Sequence, residues 1–223
     1  MENKKKNDFK NIKVDTFSAN SLKLLEKDEK EFVEKYLLSL DIKKRDKKAL
    51  LGQKFHNLIC QYLKGFDVEK MALELNLEEK KYWENLKEYL KEYLKDGKEK
   101  FIKTEYPFLI KCAFEENSWN YFLTGRFDAI LKDEESYTIY DWKTLNLPKN
   151  PTSDLQSVVY LFCANEIFKT EKLKIKYVSI ETLETIEVEF SNSKIYKTRI
   201  EGIIKKLISK KENSSEKEIC FCE

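Results

Sequence analysis

The stretch "TGRFDAILKDEESYTIYDWKT", residues 124–144, determines how the rest of the chain is interpreted. Two runs that alternate between apolar and polar residues flank the polar turn "KDEE", a pattern typical of a β-hairpin. Alternation puts Asp141 and Lys143 on one face of the second strand, and Asp128 on the first strand can approach Asp141 across the pair. Converging carboxylates suit a hard divalent cation, and a lysine beside them can orient a metal-bound water. The hairpin therefore carries either a metal-dependent phosphodiesterase centre or an ordinary cross-strand charge pair.

Composition limits the alternatives. The chain has 223 residues, of which 41% are hydrophobic, enough for one substantial core and a single domain. Charged residues make up 37%, yet the formal net charge is only +2. Such a balance predicts no strong global attraction to nucleic acid, so any basic surface must be local, as at "KKRDKK" (43–48) or along 194–211.

The elements on either side of the hairpin predict a mixed fold. Helical periodicity runs through the first half of the chain, with Ser18 or Asn20 as the first cap. A further strand, "KFIKTEYPFLIKCAF", precedes the hairpin, and "TSDLQSVVYLFCANEIF" returns to a helical pattern. Two more strands, "LKIKYVSI" and "TIEVEF", precede a last basic helix. This order predicts an α/β or α+β fold with a mixed central sheet.

The predicted domain boundaries follow from the same patterns. Residues 1–12 are expected to be disordered and 13–211 to form a single domain, with a helical portion at 13–100 and a sheet core at 101–190 that includes the "QSVVY" helix. Residues 212–223 are expected to form a polar C-terminal tail.

Several classes of protein are not expected. No apolar run approaches the roughly 18 residues of a membrane span, and the basic N-terminus lacks the apolar segment of a secretory signal. We therefore expect a soluble intracellular protein, located in the cytoplasm and without a membrane partner. Of the five cysteines, Cys60, Cys112 and Cys163 have apolar neighbours and are predicted core residues. The one-residue spacing of Cys220 and Cys222 makes a zinc knuckle a weak interpretation.

Three polar residues outside the hairpin stand out, although each alone is better explained structurally. His56, the one histidine of the chain, lies at the edge of the apolar stripe of a predicted helix. Gln156 and Tyr160 are four residues apart, so they share a helix face beside an apolar stripe.

Taken together, these motifs resemble the RecB-like branch of the PD-(D/E)XK nuclease clan. The resemblance is carried, in chain order, by Gly52 and His56, "E-x-P-F" (105–108), "G-x-x-D" (125–128), "D-W-K" (141–143) and "Q-x-x-x-Y" (156–160). Each motif is weak, but five in the right order and at fitting spacing are not. The resemblance implies a restriction-endonuclease-like mixed central β-sheet flanked by helices, with a helical N-terminal elaboration.

The resemblance also implies roles for particular residues. Asp128, Asp141 and Lys143 would be catalytic, with Lys143 positioning the attacking water. The ligands of Mg²⁺ or Mn²⁺ would be His56, Asp128, Asp141 and the backbone carbonyl of Trp142, with Glu105 as a further candidate. Gln156 and Tyr160 would hold the substrate or brace the centre. Some relatives carry an iron–sulfur cluster, but the opening helix lacks its cysteine and only two cysteines lie near the C-terminus, so we expect no cluster.

The expected activity is metal-dependent hydrolysis of DNA, with RNA left open. The resemblance favours an exonuclease or a nuclease that processes single strands or ends in DNA repair or recombination. Two alternatives remain. The chain could be a catalytically inactive domain that binds nucleic acid or docks a partner, or a nuclease subunit that needs a helicase or repair partner in trans, since it has no helicase phosphate loop.

Overall fold

The computed structural model describes residues 15–40, 47–95, 100–114, 119–144 and 146–216. The helices in these ranges are α1 (Ala19–Lys27), α2 (Glu29–Phe32), α3 (Lys47–Leu63), α4 (Glu69–Ala72), α5 (Leu77–Lys95), α6 (Leu155–Phe168) and α7 (Ser193–Glu216). A π-helical turn, Val33–Leu37, follows α2. The strands are β1 (Thr16–Phe17), β2 (Lys100–Ala113), β3 (Asn120–Asp133), β4 (Ser136–Lys143), β5 (Leu173–Ser179) and β6 (Thr185–Glu189).

All six strands belong to one mixed sheet, which confirms the predicted fold class. Strands β3, β4, β5 and β6 follow one another across it, and β2 pairs with the other edge of β3. The β1–β3 and β4–β5 pairs are parallel and the remaining pairs are antiparallel. Because β1 meets β3 at residues 122–123 and β4 meets it at 129–133, residues 124–128 of β3 form a gap between them.

The sheet is covered by helices on both faces. One apolar cluster joins α1, α6 and α7 to one face, through residues such as Leu22, Leu161 and Ile204. The other joins α3, α4 and α5 to the opposite face, through Phe55 and Trp83. Each cluster buries large side chains almost completely, and burial of this kind is the dominant favourable term in folding.

Alternation along β4 matches the sequence expectation. Ile139 belongs to the cluster beneath α6, whereas Tyr140 and Trp142 belong to the cluster beneath α3 and α5. Asp141 and Lys143 therefore extend from the same face as Ile139, at the end of the strand where the apolar cover stops.

Two helices differ from the expected pattern. Ser18 caps α1 in a reciprocal capping box with Ser21, as one of the two predicted caps. The opening helix then breaks at Asp28, whose extended backbone ends α1 and whose carboxylate accepts the backbone N–H of Glu31 to start α2. At the other end, α7 continues to Glu216, so residues 212–216 of the expected polar tail are helical.

Some expectations lie outside the described residues, including those for residues 1–12, Cys220 and Cys222. Cys60, Cys112 and Cys163 are buried free thiols, as the sequence predicts. Among the described helices, none combines the length and apolar character that crossing a membrane requires.

Candidate active site

Asp141 and Lys143 lie at the carboxyl end of β4, just before α6 crosses to the parallel strand β5. In α/β sheets this is the end at which ligands usually bind. Lys143 Nζ is 2.5 Å from Asp141 Oδ2 and donates to Gln156 Oε1 at 2.8 Å. Gln156 Nε2 donates in turn to Asp141 Oδ1 at 2.6 Å, which closes a three-residue ring. The ammonium also lies over the Tyr177 ring, 5.3 Å from its centroid. Lys143 is thus held on several sides.

Asp128 lies in the gap of β3 and uses both of its carboxylate oxygens. The β3–β4 ladder ends at the pair Ala129 and Tyr140, so Asp128 is the next residue opposite Asp141. Its Oδ2 accepts the backbone N–H of Trp142 at 2.9 Å, in place of a ladder partner. Its Oδ1 lies 3.2 Å from His56 Nδ1.

His56 reaches the centre from α3, which packs on the face of the sheet opposite to α6. Its Nε2 lies 3.0 Å from the carbonyl oxygen of Trp142. Gly52, one turn earlier, makes this approach feasible, because a Cβ there would lie 3.1 Å from Thr144 Oγ1. The glycine of the sequence motif therefore lets α3 pack closely against the end of β4.

In the metal-free centre, the pKa values of His56 and Asp141 are both raised. Burial alone would lower the pKa of His56, but Asp128, Asp141 and the Trp142 carbonyl raise it to about 9. Burial is also the main cause that raises the pKa of Asp141 to about 6; Lys143 opposes this shift and Asp128 adds to it. Two carboxylates converging in a buried site repel each other, and a cation between them relieves that repulsion.

Glu105 joins the centre from β2. By register it lies opposite Asp128, and its φ of +51° is a left-handed conformation that costs a non-glycine residue roughly 1–2 kcal/mol. Its Oε2 is 2.6 Å from Nη1 of Arg126. Burial raises the pKa of Glu105, while Arg126 opposes the rise.

The donor set fits a hard divalent cation. Of the described residues, His56, Glu105 and Asp128 each offer a ligand atom, and these atoms lie within 4.8 Å of one another. The two ring nitrogens of His56 face two further candidate ligands, with Nε2 3.0 Å from the Trp142 carbonyl oxygen and Nδ1 3.2 Å from Asp128 Oδ1. Asp141 Oδ2 is buried, with the Lys143 ammonium 2.5 Å away. Carboxylates and a carbonyl are ligands that suit Mg²⁺ or Mn²⁺, whereas an imidazole is more typical of transition-metal sites.

Two clefts meet at this centre. The first, of about 510 Å³, is lined by Asp141, Lys143 and Gln156, and by the amino end of α1 at residues 18–20. The second, of about 570 Å³, runs between α3 and β2. His56 and Arg126 line both clefts, so the clefts adjoin at the predicted ligands.

The remaining motif residues pack against residues 124–128 of β3, the gap between β1 and β4. A Cβ at Gly125 would lie 2.4 Å from the Phe108 ring, so glycine is required where that ring crosses β3. Tyr160 packs edge-on against Phe108, and its hydroxyl donates to the Arg126 carbonyl at 2.9 Å. Tyr160 therefore braces β3.

All of the predicted site residues except Glu105 line the first cleft, and Glu105 lines the second. Sequence reasoning missed Arg126 and the amino end of α1. Strand alternation gives no reliable signal for Arg126, because Phe127 and Ala129, two residues apart, pack into the apolar clusters on opposite faces of the sheet. Glu105 was a predicted candidate ligand, but its ion pair with Arg126 could not be identified from the spacing of the motifs.

Comparison with known proteins gives a match to a sequence family and matches to solved structures. A sequence model described as the PD-(D/E)XK nuclease superfamily matches residues 16–218. No curated protein matches the chain. Among solved structures, the crystal structure of SSO0001 superposes with a TM-score of 0.49 at 16% identity, covering 86% of this chain and 77% of that chain.

Proposed function

The chain belongs to the PD-(D/E)XK nuclease superfamily, and from this premise we propose that it is a metal-dependent nuclease that hydrolyses DNA phosphodiester bonds. The observation that carries the proposal is the junction of two contact networks at the end of β4. Asp141, Lys143 and Gln156 form one, and His56, Asp128 and the Trp142 backbone form the other. A lysine thus lies beside a set of oxygen and nitrogen atoms that are candidate metal ligands.

The residues that would hold the cation are His56, Asp128, Asp141 and the Trp142 carbonyl, with Glu105 as a further ligand. A bound Mg²⁺ or Mn²⁺ supplies a water of lowered pKa and neutralises charge on the scissile phosphate. Lys143 is oriented by Asp141 and Gln156 so that its ammonium can hold the attacking water and counter charge that develops on the phosphate. Gln156 and Tyr160 keep the ammonium and β3 in place.

The finer assignment rests on the sequence motifs. We assign the chain to the RecB-like branch and expect an exonuclease, or a nuclease that processes single strands or ends, in DNA repair or recombination in the cytoplasm. The two clefts adjoin at His56 and Arg126, and this arrangement suits an extended nucleic-acid strand that passes the candidate ligands. A helicase or repair protein acting in trans would supply any unwinding.

A cleavage assay tests the activity. Purified protein is incubated with 5′- and 3′-labelled single- and double-stranded DNA, and with RNA, in Mg²⁺, Mn²⁺ or EDTA. Products should need metal and fall at least about 100-fold in Lys143→Ala and in Asp141→Asn, as expected for loss of electrostatic or general acid–base assistance. Lys174→Ala is the matched control, because Lys174 also forms a strand ion pair, with Glu187 at 2.9 Å. Full cleavage by both site variants would refute the assignment.

The rival function is an inactive domain that binds nucleic acid or docks a partner. Calorimetric titration with Mn²⁺ separates it from the nuclease. Binding that is lost in Asp128→Asn supports a nuclease, even if cleavage awaits a partner protein. Absence of both metal binding and cleavage would favour the inactive domain.

A further inference from the structure

Arg126 lies where the two clefts adjoin and is half exposed, with 59% of its side-chain surface open to solvent. Its guanidinium contacts Glu105, which lies opposite Asp128 by strand register. Its backbone is fixed, because its carbonyl accepts the Tyr160 hydroxyl. A firmly anchored residue with an exposed guanidinium can change partners without moving the strand.

The cationic groups of the clefts differ in how fully they are engaged. Of the described residues that line the clefts, Lys143 and Arg126 carry fixed positive charges. Lys143 is engaged by Asp141 and Gln156 and covered by the Tyr177 ring. The ion pair of Arg126 is with a single carboxylate, Glu105. The planar fork of a guanidinium also suits a phosphate, which it can bind through two hydrogen bonds.

Glu105 is subject to two competing attractions. It pairs with Arg126, yet it offers a ligand atom close to those of His56 and Asp128. A divalent cation among these three residues carries twice the charge of the guanidinium, and Glu105 is mostly buried, with 21% of its side chain exposed. In such a position a cation attracts the carboxylate more strongly than Arg126 does, and it weakens the Glu105–Arg126 pair.

We propose that Arg126 binds a backbone phosphate of the nucleic acid in exchange for Glu105, so that this ion pair couples metal binding to nucleic-acid binding. The inference rests on the proposed function, because it takes nucleic acid to be the ligand of the clefts. Without metal, Glu105 occupies the guanidinium. With metal, Arg126 is released to the phosphate, and each ligand raises the affinity of the protein for the other by the same factor.

A double-mutant cycle in EDTA tests this exchange. The affinity for a fluorescent 20-nucleotide single-stranded DNA is measured by anisotropy for the wild type, Glu105→Gln, Arg126→Ala and the double variant. Glu105→Gln should strengthen binding about 2- to 5-fold, the range of a partly exposed ion pair, because it frees Arg126. The same change should bring no gain in the Arg126→Ala background. Saturating Ca²⁺, used as a cation that allows binding to be followed, should strengthen wild-type binding and reduce the gain from Glu105→Gln.

The pair Lys174 and Glu187 provides a matched control. Their ion pair is 2.9 Å long, and neither residue is among those that line the two clefts. Glu187→Gln and Lys174→Ala should leave DNA affinity in EDTA unchanged within about 2-fold, and thermal melts would verify that all variants fold.

The outcomes separate this inference from the proposed function. An equal gain from Glu105→Gln with and without Arg126 would mean general charge repulsion and would overturn the exchange, while leaving the nuclease intact. A wild-type protein that binds neither DNA nor RNA, with or without metal, would refute both.

Discussion

At the scale of single residues, the two carboxylate oxygens of Asp128 have different roles. One oxygen accepts the Trp142 N–H and holds β3 to β4, while the other faces His56. An asparagine keeps an acceptor for that N–H but removes the negative charge. Asp128→Asn is therefore a better probe of the centre than an alanine variant, which would also leave a buried donor without a partner.

His56 gives a direct reading of the electrostatics, because the chain has one histidine and its ring resonances need no assignment. In metal-free protein we expect NMR titration to give a pKa of about 9, which follows from the Asp128 contact. Since this value exceeds the ordinary 6.5, the proton stabilises the fold fully below pH 6.5, and that stabilisation is lost as pH rises through 9. Its upper limit is about 3 kcal/mol.

Asp128→Asn should reverse the shift. Burial lowers the pKa of His56, and in this variant fewer contacts would raise it. The His56 pKa should therefore fall below that of the wild type by more than one unit. A metal-free wild-type protein that titrates near 6.5 would contradict the geometry of this contact.

At the scale of elements, the Phe108 ring of β2 lies over Gly125 of β3 and occupies the position that a side chain there would take. Gly125→Ala should destabilise the protein by about 1–3 kcal/mol, the usual effect of overpacking. Phe108→Leu in the same chain should recover part of that loss, because it removes the ring atoms that clash. Urea unfolding of the two single variants and the double variant measures this, and strictly additive losses would show that the ring is not the obstacle.

Much of the element pattern could be predicted because it depends on local periodicity. The alternation of Ile139, Tyr140 and Trp142 specifies two faces, and the structure confirms both. The break at Asp28 could not be predicted from apolar spacing, because the spacing of buried residues continues across it and the cap depends on one side-chain contact. The left-handed backbone of Glu105 likewise depends on tertiary packing, which a strand pattern does not encode.

For the whole molecule, the centre connects the two layers of helices. His56 comes from α3 on one face and Gln156 from α6 on the other, with β3 and β4 between them. A cation held by His56, Asp128 and Asp141 would therefore stabilise the folded domain against unfolding as a whole.

Thermal melts measure that stabilisation. At 100 times its dissociation constant, Mn²⁺ should raise the free energy of unfolding by about 2.7 kcal/mol, and Tm by about 5–10 °C in a domain of this size. Asp128→Asn should lose most of the increase, whereas Glu187→Gln, at a carboxylate paired with Lys174 and Lys176, should keep it. An equal increase in both variants would place the ion elsewhere.

The Trp142 carbonyl oxygen is a candidate ligand that no amino-acid substitution at position 142 can remove. Every other candidate ligand is a side chain, so a single base substitution can remove it. The oxygen at 3.0 Å from His56 belongs to the main chain and would persist with any residue at position 142. A substitution that impairs function at this position would act through loss of the buried indole rather than through loss of the oxygen. Only chemical synthesis, with an ester in place of the peptide bond, would weaken this oxygen itself as a donor to the ion.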